Sequence, residues 1–132
     1  MKIANIMCFA RGYNSVEKQY KFTEAEFDLI NEFDVDNTFL LEYDALCFES
    51  YQKLFKEKAT DKTEIGLWYE IVEPLTTACG MTYRTQMGKK WDYHIIPGFS
   101  MGYTLKEREM LIDEAMRKFK EVFILLWSLR FL

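Results

Sequence analysis

From Thr104 to Leu132 the chain contains neither glycine nor proline, so nothing in its last stretch interrupts a helix once one has started. Thr104 followed by Glu107 is a capping box, in which each side chain accepts the other residue's backbone N–H, and the spacing predicts one long helix from Thr104 onward. Up to Glu121 that helix is amphipathic, with Leu111, Ala115, Phe119 and Val122 on one stripe and Asp113, Arg117, Lys120 and Glu121 on another. Asp113/Arg117 and Glu114/Lys118 are acid-first i,i+4 pairs suited to a wet face. Then Val122, Phe123, Ile124, Leu125, Leu126 and Trp127 follow without a polar break. At roughly 1.5–3 kcal/mol per buried large apolar side chain, leaving that end bare forfeits on the order of 10 kcal/mol. A helix of about 28 residues is about 42 Å long, whereas a domain of this size corresponds to a sphere about 36 Å across. The C-terminal end is therefore expected to be covered by a second copy in a two-fold homodimer through Phe123, Ile124, Leu125, Trp127 and Phe131. The competing arrangement has earlier helices of the same chain wrapping both of its sides.

The rest of the chain must supply the layer this helix packs on. Its 132 residues suit one globular domain, 1–132, and 49% hydrophobic with 17% aromatic content excludes disorder. No apolar run approaches the roughly 18 residues of a membrane span, so no membrane association is expected. Ile3 to Ala10 is apolar but short, holds Asn5 and is followed at once by Arg11, which does not fit a signal peptide. Cys8, Cys47 and Cys79 are odd in number and form no CxxC pair, as expected for reduced thiols in the cytoplasm. The single histidine, His94, excludes metal sites that need two.

Taken in order, Lys2 to Ala10 reads as a strand, turned by Gly12, Tyr13 and Asn14 into a second strand from Val16 to Phe22, where Val16, Tyr20 and Phe22 alternate with Glu17, Gln19 and Lys21. Thr23 and Glu26 form another capping box, with Phe22 and Phe27 as a hydrophobic staple, and predict a helix to about Phe33 that ends in Asp34-Val35-Asp36-Asn37. A second helix is expected from about Asp44 to Lys58, reaching back toward Thr38, with Leu40, Tyr43, Cys47, Tyr51 and Leu54 as its seam. Glu64 to Glu73 has strand composition, and Leu75 to Cys79 reads as a short helical turn closed by Gly80. Met81–Met87 and Trp91–Ile96 are expected as a second hairpin around Gly88-Lys89-Lys90, with Arg84 opposite His94 and Gln86 opposite Asp92 on one face and Trp91 and Tyr93 on the other. The resulting fold class is α+β: an antiparallel sheet of two hairpins, with room for one further strand near Leu67, covered by three helices.

The motifs of common chemistry fail here on their spacing. Gly98-Phe99-Ser100-Met101-Gly102 matches a nucleophile elbow, but no histidine follows Ser100. The cysteines lie among apolar residues, where a thiol behaves as a small hydrophobe rather than as the partner of His94. Asp34-Val35-Asp36-Asn37-Thr38 opens like a calcium loop, yet Phe39 stands at the glycine position and Ala45 at the bidentate glutamate. No phosphate-binding loop, dinucleotide fingerprint or HExxH is present, so no cofactor or metal is expected.

Charge placement is the sharpest anomaly. Glu24 to Glu49 holds nine carboxylates and no Lys or Arg; with the chain at -4, the remainder carries +5. This pattern points to a non-enzymatic protein-binding protein, in the manner of inhibitors encoded by phages and mobile elements, that presents Asp28, Glu32, Asp34, Asp36, Glu42, Asp44 and Glu49 to a partner with a basic surface. The alternative is a small enzyme or nucleotide-binding protein with a site around Arg84, Asp92 and His94. Direct nucleic-acid binding is a third reading; it has only Arg84, Lys89 and Lys90 to offer, and a pI near 5.1 opposes it.

Overall fold

The computed structural model describes residues 6–12, 16–84 and 102–128. Among them, β1 (Ile6–Ala10), β2 (Asn37–Leu41) and β3 (Thr63–Leu67) form one sheet in the order β1-β2-β3. Every pairing is parallel, with Ala10 level with Leu41 and Leu41 level with Leu67. Helix α1 (Val16–Glu32) returns the chain from β1 to β2, and α2 (Tyr43–Cys47) with α3 (Glu49–Lys58) returns it from β2 to β3. Helix α4 (Glu73–Ala78) follows β3, and the long α5 (Leu105–Ser128) closes the described chain. Because successive crossovers step in the same direction across the sheet, connections of one hand place their helices on one face.

That face is an aromatic core. Phe27 of α1 stacks on Phe39 of β2 with centroids 4.1 Å apart, and Phe55 of α3 meets both rings edge-on at 4.9 and 5.3 Å. Phe123 of α5 reaches the same cluster at 6.1 Å from Phe55. Cys8, Ala10, Phe39 and Leu41, alternate residues of β1 and β2, are buried against it. A second cluster joins Tyr43 of α2 to Ile71, Val72 and Leu75 at α4 and to Leu111 and Ala115 of α5. On the opposite side of the sheet, Met7 (49% exposed) and Phe9 (39% exposed) stay accessible.

The antiparallel sheet of two hairpins expected from the sequence is contradicted by this parallel order. Val16 to Phe22 is helical, and its alternation was a coincidence of a 3.6-residue period: Tyr20, Thr23, Phe27 and Ile30 form the stripe that faces the core, while Phe22 and Leu29 point outward. Thr23, expected as an N-cap, lies inside α1, where its hydroxyl donates to the Gln19 carbonyl at 3.2 Å. Thr38 to Leu41, into which the second helix was expected to reach, belongs with Asn37 to the central strand. The helix expected over Asp44–Lys58 is broken at Phe48, which is extended (φ -91°, ψ 120°) between α2 and α3. In the second expected hairpin, Met81–Arg84 form no strand, and Trp91, Asp92, Tyr93 and His94 lie outside the described residues.

Several terminations follow the local chemistry. Helix α1 ends in a Schellman arrangement, with Val35 N–H donating to the Ile30 carbonyl at 3.4 Å and Asp34 N–H to Asn31 at 3.3 Å. Asp34 occupies the left-handed position at φ 52°, which aspartate tolerates better than most residues. Gly80 at φ 68° closes α4 as expected, with Met81 N–H donating to Thr76 at 2.8 Å. The capping box of α5 is formed too: Thr104 N–H donates to Glu107 Oε2 at 2.7 Å, and Glu107 N–H to Thr104 Oγ1 at 3.3 Å.

Candidate functional site

In an open parallel sheet the carboxyl ends of the strands converge, and the segments leaving them project side chains into a common crevice. Here the register brings three such exits together: Arg11-Gly12 after β1, Glu42-Tyr43-Asp44 after β2, and Trp68-Tyr69-Glu70 after β3. The ladder continues one step beyond the strands, since Glu42 N–H donates to the Ala10 carbonyl at 3.0 Å and Trp68 N–H to Leu41 at 2.8 Å. The backbone therefore fixes where Glu42 and Trp68 begin. Tyr51 of α3 pins the first exit by donating its hydroxyl to the Arg11 carbonyl at 2.9 Å.

The side chains make a compact charged cluster. Arg11 Nε lies 3.1 Å from Glu42 Oε1, and its Nη2 lies 4.0 Å from Glu70 Oε2. Trp68 Nε1 donates to that same Glu70 oxygen at 3.1 Å, and the Glu70 carboxyl lies within hydrogen-bonding reach of Glu42. Beside them, Asp44 Oδ1 accepts from Ala45 N–H at 2.8 Å and from Gly12 N–H at 3.2 Å. The close approach at Gly12 leaves no room for a side chain: a Cβ there would stand 2.8 Å from both Asp44 Cγ and the Phe48 ring. The break between α2 and α3 at Phe48 is part of this construction, because it is what brings that ring against Gly12.

Burial sets the protonation. Glu42 is 2% exposed and Asp44 6%. Burial, reinforced by the charges of Asp44 and Glu70, pushes the Glu42 carboxyl up to about 8, against the opposing pull of Arg11. Asp44 is also raised by burial, although the N–H groups of Gly12 and Ala45 work in the other direction. Contact with Arg11 alone would favour an ionised Glu42; burial, together with the charges of Asp44 and Glu70, outweighs it. Among the described residues, no three His, Cys, Asp or Glu side chains are grouped so as to hold a metal ion. What the cluster can do is hold a proton at neutral pH beside a second carboxyl that is partly open to solvent, with a side-chain exposure of 29% for Glu70.

The residues of the acidic block are scattered by the fold. Glu42 and Asp44 are buried in the cluster just described, while Asp28, Glu32, Asp34, Asp36 and Glu49 are on the surface. Asp28 is paired with Lys58, and Asp34 Oδ2 lies 2.5 Å from Lys62 Nζ, so cations from later in the chain neutralise part of a stretch that has none of its own. Arg84 is bound to the start of α5: it donates to both oxygens of Glu107 and to the Gly102 carbonyl, and lies over the Tyr103 ring. Its expected partners Asp92 and His94, like Lys89 and Lys90, lie outside the described residues. Phe123 is buried within the chain itself, whereas Phe131 and the side chains of Ile124, Leu125 and Trp127 lie outside what is described. No helix among the described residues is long and apolar enough to cross a membrane.

Arg11, Glu70 and Trp68 were missed by sequence reasoning, and Glu42 and Asp44 were counted as surface charge. A signal was present: Arg11, Glu42 and Glu70 each stand at the end of a run of apolar residues, Ile6–Ala10, Phe39–Leu41 and Ile65–Tyr69, which is where parallel strands place functional groups. Comparison of the chain with protein-family models, with curated proteins and with solved structures returned no match.

Proposed function

We propose that this chain binds a small polar ligand beyond the carboxyl ends of β1, β2 and β3 and exchanges a proton with it through the Glu42–Glu70 pair. The observation that carries this reading is a carboxyl, Glu42, buried to 2% exposure against a second carboxyl and an arginine at the strand ends. Glu70, the more open of the two, faces the ligand and takes or gives its proton. Glu42 returns the balance across a hydrogen bond between them, so the pair works as a two-carboxyl acid–base relay. Arg11 offsets the charge that appears when both are ionised. With one proton on Glu42, Arg11, Asp44, Glu42 and Glu70 carry a net charge of -1. That balance favours uncharged or cationic ligands over phosphates and carboxylates. A thermal-shift series of uncharged, cationic and anionic small molecules at neutral pH tests it. Stabilisation by an uncharged or cationic compound that disappears in Glu70→Gln is the expected result; stabilisation by anions alone, or by a compound indifferent to Glu70→Gln, would sink the reading.

A second reading keeps the protein-binding function, now moved to α1. Phe22 and Leu29 lie on its exposed side and Phe33, in the turn just past its end, is 67% exposed, next to the exposed Glu32 and Asp36. Apolar anchors with an acidic rim suit a partner whose surface is apolar with basic edges. Equal binding of a recovered partner by wild type and by a Glu32→Lys/Asp36→Lys variant at low salt would remove it.

A further inference from the structure

The relay needs one of its two carboxyls to keep the proton while the other faces the ligand, and the structure holds a residue placed to decide which. Trp68 leaves β3 with its backbone tied to Leu41, and its indole is fixed edge-on against Phe9 at 4.8 Å and 88°. From that position Nε1–H points at Glu70 Oε2, 3.1 Å away. An indole can only donate, so this bond is strong when Glu70 is a carboxylate and weak when that oxygen carries the proton. Among the described residues, Glu42 receives no such donor from tryptophan; its side chain meets Arg11 and Glu70, within a site that also holds Asp44 and, from α3, Tyr51.

Resting on the acid–base reading above, the geometry points to Trp68 as a positioning residue that holds Glu70 in its ionised form through the indole N–H and thereby leaves the shared proton on Glu42. Trp68 touches neither ligand nor transferred proton; it acts through Glu70. Its removal therefore changes how the pair titrates rather than deleting an acid or a base. Because the two carboxyls interact, their protons come off in two steps that belong to the pair, and the tryptophan bond stabilises every state in which Glu70 is charged. Losing it raises the lower step, in which the first carboxyl ionises, and leaves the upper step nearly in place.

Trp68→Phe keeps an aromatic ring for Phe9 and removes only the donor. In protein labelled with 13C at the glutamate carboxyl carbons, the lower step of the Glu42–Glu70 pair is expected to move up by about one pH unit, the scale of a hydrogen bond to a charged group at a partly exposed site. Folded Trp68→Phe protein with its lower step unmoved would overturn the assignment; a lowered melting temperature with an unmoved step would mark Trp68 as packing alone. Should the variant not fold, wild-type protein gives the answer. The Trp68 indole N–H resonance is expected to shift through the same lower step, and an indole resonance indifferent to it refutes the proposal. The underlying reading fails separately, if no glutamate carboxyl of the wild type remains protonated at neutral pH.

Discussion

Replacing Glu42 with glutamine should remove most of the pH dependence of this protein's stability between mildly acidic and mildly alkaline conditions. Glutamine keeps the shape of the protonated side chain and retains a carbonyl oxygen to accept from Arg11 Nε, now 3.1 Å from Glu42 Oε1. In the wild type, burial raises the Glu42 carboxyl from 4.5 to about 8, so the folded state binds this proton more tightly than the unfolded chain does. Stability from this group is complete below the unfolded value and is lost as pH climbs toward the folded one. The full shift corresponds to a ceiling of about 5 kcal/mol. Relaxation around a buried charge and the nearness of Arg11 reduce the expected loss to roughly 2–3 kcal/mol. Urea unfolding at about pH 5 and about pH 9 measures it. Wild type should lose that amount at the higher pH relative to Glu42→Gln, and the two should be nearly equal at the lower. Parallel pH dependence in both proteins would refute the reasoning, since it would place the titration elsewhere.

Gly12→Ala should cost about 1–3 kcal/mol, because the added Cβ would stand 2.8 Å from Asp44 Cγ and from the Phe48 ring; denaturant midpoints report it. Thr104→Ala should remove about 1 kcal/mol with the cap it gives Glu107 N–H, read as a lower melting temperature, while Thr104→Ser changes little. Phe39→Ala, which removes the ring that meets both Phe27 and Phe55, should cost about 3–5 kcal/mol in chemical unfolding, the largest single loss among these substitutions.

What the sequence made legible was the local chemistry. The Thr104–Glu107 box, the turn after Phe33 and the glycine stop at Gly80 involve residues within a few positions of one another, and each is formed as its spacing implies. The strand at Thr63–Leu67 was legible in composition. The sheet was not, because parallel pairing joins Phe39 to Cys8 and Ile65 across whole helices, and no turn residue marks such a connection. Two local signals also competed with the fold. Thr23 and Glu26 carry a capping pattern in the middle of α1, and the short run Thr38–Leu41 suits a helical seam as well as a strand. The site was hidden by the same omission. Without parallel strands, Glu42 and Asp44 are two more charges in an acidic stretch; with them, they stand beside Arg11 and Glu70 at the end of a sheet.

The central claim is that Glu42 holds a proton at neutral pH beside a second carboxyl. Site-resolved 13C titration of the Glu42 carboxyl carbon tests this most directly, with assignment by its disappearance in Glu42→Gln. The account predicts a protonated resonance at pH 7 and a final step centred at about 8. A resonance already at the carboxylate position at pH 6, with its midpoint in the ordinary glutamate range, would contradict it.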